Sequence, residues 1–123
     1  MKTMITTPTA FLVKVDAILE SYLPEETFTI NQLAKKLGFS YSHTHRKIKN
    51  ATGLSPSVYI RNKRLDAASQ LLIRTDLTIN QIAAQVGFTT QSYFSAKFSE
   101  YKNCSPKQYR KRNSEYKLNA QVS

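Results

Sequence analysis

Acidic residues are scarce where this chain is most regular. Between Thr29 and Arg112 there are only three, Asp66, Asp76 and Glu100, against 15 lysines and arginines, whereas the first 28 residues hold four acids and two bases. In a chain of net charge +10, positive charge gathered on one part points to a polyanionic partner more than to solubility. A basic helix also suits an acidic membrane surface, so charge alone leaves both open. The single cysteine, Cys104, forms no internal disulfide and offers no metal-ligand spacing; it reads as a small, partly buried filler. No apolar run reaches a signal-peptide core or the roughly 18 residues of a membrane span, so the expected location is cytoplasmic, away from membranes. His43 and His45 lie about 200° apart on a helix and cannot share a metal. Both read as imidazoles facing solvent or a polyanion. There is no glycine-rich phosphate loop, no paired carboxylate in a plausible pocket and no supported Ser/His/Asp set. The expectation is therefore no enzyme, no metal, no cofactor and no small-molecule site.

What the chain does contain is a repeat. TINQLAKKLGFS begins at Thr29 and TINQIAAQVGFT at Thr78, and each runs through a basic amphipathic stretch to a Ser-Pro pair, Ser55-Pro56 and Ser105-Pro106. With 123 residues this is one domain, or two very small ones sharing an element, built from one supersecondary unit used twice. Thr29 with Gln32 and Thr78 with Gln81 stand in the T-x-x-Q relation of a capping box, marking two helix starts. Ile30, Leu33, Ala34 and Leu37 form one face, as do Ile79, Ile82, Ala83 and Val86. Ala34 and Ala83 are small where a second helix must cross closely. Gly38 and Gly87 then supply the positive φ of a tight turn, Phe39 and Phe88 plug it, and Ser40 and Thr89 read as N-caps of the next helix. Their neighbouring free N–H groups are suited to a phosphate. This is a helix-turn-helix pattern, twice.

Around the repeats, Phe11, Leu12, Val15, Ile18, Leu19, Tyr22 and Leu23 predict an amphipathic core helix starting at Thr7-Pro8-Thr9 and closed by Pro24-Glu25-Glu26. Pro56 opens a helix that runs unbroken to Arg74, with a buried stripe of Ile60, Leu65, Ala68, Leu71 and Leu72 and a basic side of Arg61, Lys63 and Arg64. Its length, about 27 Å, suits two readers spaced roughly one DNA turn, about 34 Å. A last short helix from Pro106 carries Lys107, Arg110, Lys111 and Arg112. The expected organisation is residues 8–55 for the first helix and first helix-turn-helix, 56–74 for the linker helix and 75–112 for the second helix-turn-helix and last helix. Residues 1–7 and 113–123 are expected to be flexible tails.

On a helical wheel, Thr44, Ile48 and Ala51 form the core side of the first repeat's second helix, and Ser42, His45, Arg46 and Lys49 the outward side. Fifty residues on, the core stripe is Phe94, Phe98 and Tyr101, and the outward side Ser92, Ser95, Ala96 and Ser99. Arg46 suits a bidentate contact to guanine N7 and O6, His45 a base acceptor or phosphate, Gln91 an adenine, and Ala96 only a thymine methyl. The base-contact candidates are Ser42, His45, Arg46, Gln91, Ser92 and Ser95. The phosphate-contact candidates are Ser40, Lys49, Thr89, Arg61, Arg110 and Lys111. Lys47, nearer the core side, is expected to snorkel.

Residues 8 to 112 resemble the DNA-binding domain of the AraC/XylS transcription regulators. The stretch INQIAAQVGFTTQSYFSAKFSEYKNCSPKQYR, from Ile79 to Arg110, is similar to the signature of that family's second subdomain. KIKNATGLSPSVYIRNKRLDAASQLL, from Lys47 to Leu72, is similar to its passage from first recognition helix to linker helix. The resemblance implies an all-α, seven-helix fold with two helix-turn-helix subdomains and a long linker helix. It implies base contacts at Ser42, His45 and Arg46 and at Gln91, Ser92, Ser95 and Ala96. The implied function is a sequence-specific double-stranded DNA-binding transcription regulator, or that domain of a longer one, setting two recognition helices into successive major-groove segments. RNA polymerase is its expected protein partner. Three residues depart from the family pattern: Ala96 where Arg is frequent, Thr44 where a large apolar side chain is common, and Asn103 in place of glycine before Ser-Pro. Thr44 is expected to loosen its helix. Members usually carry a sensing domain, and none is read in these residues. Two rivals are a basic module without sequence preference and a DNA-repair enzyme; the second needs a reactive cysteine with supporting groups, which Cys104 lacks.

Overall fold

The computed structural model describes residues 8–122, with side chains described through Ser114. Among the described residues there are seven helices and no strand: α1 (Pro8–Tyr22), α2 (Ile30–Leu37), α3 (Tyr41–Thr52), α4 (Pro56–Arg74), α5 (Ile79–Gln85), α6 (Gln91–Lys102) and α7 (Pro106–Val122). None is long and apolar enough to cross a membrane. The chain divides into two compact units, and the division falls inside α4, between Lys63 and Arg64.

The first unit's core is drawn from all four of its helical segments. Phe11, Val15 and Leu19, spaced by four on α1, meet Leu33 and Leu37 of α2, Ile48 of α3, Phe28 before α2, and Tyr59 and Ile60 at the start of α4. Each such side chain contributes about 1.5 to 3 kcal/mol by leaving water. α1 is thus the core helix its periodicity predicts; Thr7 of the expected start signal lies outside the described residues. Asp16 on α1 ties α4 down, accepting from Tyr59 Oη at 2.6 Å and Lys63 Nζ at 3.2 Å. Lys63, expected on the basic side of α4, therefore has a structural partner.

The second unit repeats this logic with the other half of α4. Leu65, Ala68 and Leu72 pack with Ile82, Ala83 and Val86, and with Phe88, Phe94 and Phe98. Phe88 and Phe94 meet edge-on at 5.2 Å, and Tyr109 of α7 meets Phe98 edge-on at 5.4 Å. Ser105-Pro106 opens α7 as Ser55-Pro56 opens α4, so α4 plays two parts: its first turns close one core and its last turns found the next.

Two basic residues turn inward. Arg64, read as part of the basic side of α4, is 6% exposed and donates from Nη1 to Val86 O at 2.9 Å. Arg110, read as a phosphate contact, donates from Nε to Leu72 O at 3.0 Å and from Nη2 to Thr75 O at 3.2 Å. It satisfies carbonyls that the end of α4 leaves open, where a cation is also favoured by the helix dipole. The last helix is not short: with no glycine or proline after Pro106, it continues to Val122, where a tail was expected from Asn113.

Candidate nucleic-acid interface

Both helix-turn-helix units are held by the devices the sequence displays. In α2, Gln32 Oε1 accepts from Thr29 N at 2.7 Å and Thr29 Oγ1 from Gln32 N at 3.5 Å. In α5 the same box closes at 2.9 and 3.1 Å through Thr78 and Gln81. The exits match as well. Gly38 N donates to Lys35 O at 3.1 Å and Phe39 N to Ala34 O at 3.0 Å; Gly87 N donates to Ala84 O at 3.1 Å and Phe88 N to Ala83 O at 2.9 Å. This is the Schellman pair, and it requires the left-handed φ of +77° at Gly38. A Cβ there would meet open space, so conformation and not crowding selects glycine. Ala34 and Ala83 are buried, as close helix crossing demands.

After the plug the two copies fall out of step. Ser40 caps α3, accepting from His43 N at 3.1 Å, but the cap of α6 is Thr90, accepting from Tyr93 N at 3.2 Å. Thr89, expected as that cap, is an extra, exposed residue in the second turn. The signal was countable: Thr29 to Thr78 and Phe39 to Phe88 are spaced by 49, Gly53 to Asn103 and Ser55 to Ser105 by 50. Asn103 takes φ +63°, the left-handed conformation that Gly53 takes at +76°. A third capping box, Ser105 with Gln108 at 3.0 and 3.1 Å, went unread although its S-x-x-Q spacing is plain.

From these caps α3 and α6 present matching faces at an offset of fifty. Thr44 and Ile48 are fully buried on α3, as are Phe94 and Phe98 on α6. Thr44 lies at zero exposure and its hydroxyl donates to Ser40 O at 2.9 Å, so its polar atom is satisfied within the helix where a loosened site was expected. Tyr101 is not core. It is 38% exposed and donates to Asp66 Oδ1 at 3.0 Å. Burial of its ring, then the hydrogen bond and charge of Asp66, raise its pKa above the usual tyrosine value.

The outward side of α3 is an open groove lined by Tyr41, Ser42, His45, Arg46, Lys49 and Asn50. It brings together three base-contact candidates and the phosphate candidate Lys49. Arg46 and Lys49 are exposed and His45 is half-buried. Tyr41 was missed. It is 48% exposed beside the His45 ring at 6.1 Å, and its place four residues before His45 was the available signal. His43 instead stacks on Phe39 at 4.5 Å and belongs to the turn. Lys47, expected to snorkel toward water or backbone, instead sets its ammonium over the ring of Phe11, 4.9 Å from its centre, a cation–π contact.

The corresponding side of α6 is chemically different. Gln91, Ser92 and Ala96 are exposed and Ser95 and Ser99 half-buried. Lys97 pairs with Glu100 at 3.5 Å and Lys102 with Asp66 at 3.3 Å. By contrast, α2 and α3 hold five cations and no acid. Arg61, half-buried, and Lys111, exposed, stand fifty apart at like positions of α4 and α7, outside the α3 groove.

Residues 33–112 match the model of a helix-turn-helix domain family, of the AraC type. The chain is 38% identical over 104 residues to a protein of Formosa agariphila named histidine kinase P4, covering 85% of this chain and 8% of that protein. Across eight curated relatives it spans between 8% and 39% of their length. The C-terminal domain of the two-component response regulator yesN from Fusobacterium nucleatum is 34% identical with a TM-score of 0.73, covering 82% of this chain and 98% of that one. The DNA-binding domain of AdpA, a global transcriptional factor solved with a target DNA, is 26% identical with a TM-score of 0.74, covering 82% and 90%. Two capped helix-turn-helix units, the shared α4 and these likenesses agree: the chain belongs to the AraC/XylS family of transcription regulators, as a double helix-turn-helix DNA-binding domain.

Proposed function

We propose that each unit lays its second helix, α3 or α6, into the major groove of double-stranded DNA, and that a transcription regulator selects its site through these two readers. The observation that carries this reading is the α3 groove. Ser42, His45, Arg46 and Lys49 converge on one outward face of a helix held by two glycine turns and a serine cap, in a unit whose α2 and α3 contain no acid. In this reading Arg46 bonds guanine O6 and N7, His45 and Ser42 bond neighbouring base edges, and Lys49 neutralises a phosphate. On α6, Gln91, Ser92 and Ser95 take the base edges. Ser40 and Thr90 with its neighbour Thr89 present helix N-termini to phosphates, and Arg61 and Lys111 add charge beside them. Arg110 is left out because its guanidinium holds the end of α4. The work is binding alone and asks for no reacting group. It belongs in the cytosol, with RNA polymerase as the partner through which a bound regulator acts. The test is enrichment of duplexes from a random pool by the purified protein, followed by footprinting. One enriched motif protected on its major-groove edges supports the reading. Retention of all duplexes alike refutes it.

A further inference from the structure

Resting on the DNA reading above, we infer that the target is chemically unequal: α3 demands a guanine, and α6 reads an A·T segment through a methyl and an amide. A bidentate bond to guanine needs a guanidinium or ammonium aimed at O6 and N7. α3 offers Arg46, exposed, on a helix pair without acids. The outward side of α6 offers no cation in that place, since its like position is Ala96 and its two lysines are engaged with Glu100 and Asp66. Of the outward-facing groups on α6 that are not held in an ion pair, as Glu100 is by Lys97, two discriminate between bases. The Gln91 amide matches the N6 donor and N7 acceptor of adenine, and the Ala96 methyl matches the C5 methyl of thymine; the serine hydroxyls accept either pair. Both discriminating groups point to A·T. Electrostatics divides the same way, because five cations without an acid on α2 and α3 attract phosphate where paired lysines on α6 do so weakly.

Two measurements on the intact chain test this. The first compares motifs enriched by the natural protein and by the Ala96→Arg protein. Ala96 is exposed, so the change leaves the fold intact, which a melting curve checks. The natural motif is expected to need a guanine in one segment and A·T pairs in the other. Ala96→Arg is expected to keep the first segment and to require guanine in the second. The second measurement replaces each thymine of the A·T segment with deoxyuridine. Loss of the one contacted methyl is expected to weaken natural binding about fourfold, the worth of one buried methyl group, while leaving the Ala96→Arg protein indifferent. A guanine already required by the natural protein in the segment that Ala96→Arg alters, or indifference to every deoxyuridine, overturns the inference while leaving DNA binding standing. Absence of any enriched motif overturns the DNA reading itself.

Discussion

Arg64 Nη1 and Val86 O lie 2.9 Å apart in the second unit, in a site where the arginine is 6% exposed. The bond spans from α4 to the end of α5, where the last helical carbonyls have no partner within the helix. A charged donor on such a carbonyl is worth about 1.5 to 3 kcal/mol, and its loss leaves the carbonyl buried and unpaired. Arg64→Met, which keeps the aliphatic stem, is expected to lower stability by at least about 2 kcal/mol in urea unfolding. Arg46→Met, on the exposed face of α3, is expected to stay within about 0.5 kcal/mol of the natural protein.

Thr44 calls for the opposite of a cavity-filling repair. Its side chain is fully buried and bonded to Ser40 O, whose carbonyl also accepts from Thr44 N at 3.0 Å. Thr44→Val keeps the volume and leaves that carbonyl bonded, so a change below about 1 kcal/mol is expected. Thr44→Leu overfills the site and is expected to cost about 1 to 3 kcal/mol. Thermal unfolding of both variants decides; a Leu variant more stable than the natural protein would show that the site has room for the larger side chain.

The extra residue in the second turn has a direct signature. Thr90→Ala removes the side-chain cap of α6 and is expected to cost about 1 kcal/mol, whereas Thr89→Ala is expected to cost almost nothing. Equal losses would place the cap at neither residue alone.

Salt dependence separates working cations from structural ones. Each phosphate neutralised by a lysine or arginine contributes about −0.9 to the slope of log affinity against log salt, so Lys49, Arg61 and Lys111 together give about −3. Lys49→Ala is expected to reduce that slope by about 1, the share of one contact. Lys97→Ala, removing an ammonium held by Glu100, is expected to change it less. Binding titrations across a salt series read both.

The elements were legible in the sequence because their signals are local. Thr29 with Gln32, Gly38 with Phe39 and Ser55 with Pro56 each mark a boundary within three residues, and repetition turned weak cues into strong ones. The α3 face followed from spacing alone. Arg64, Arg110 and Tyr101 were misread for one reason: their partners lie 22, 38 and 35 residues away, and nothing near a charged or phenolic side chain tells that a distant group awaits it. Thr44 was different. A buried threonine bonding the carbonyl four residues back is a local pattern, so its fit could have been foreseen. The course of α7 past Asn113 also needed no distant contact, since polar composition without a breaker permits a helix as readily as a tail.

The most direct measurement is a binding titration, at one fixed salt concentration, of the natural and Arg46→Ala proteins on an enriched duplex and on a shuffled duplex of the same length. The natural protein is expected to bind the enriched duplex at least about 1,000-fold more tightly than the shuffled one. Arg46→Ala is expected to lose about 1 to 3 kcal/mol on the enriched duplex and little on the shuffled one, since a base contact is lost and most phosphate contacts remain. Equal affinity of the natural protein for both duplexes, or an equal loss on both in the variant, would contradict sequence reading by the α3 face.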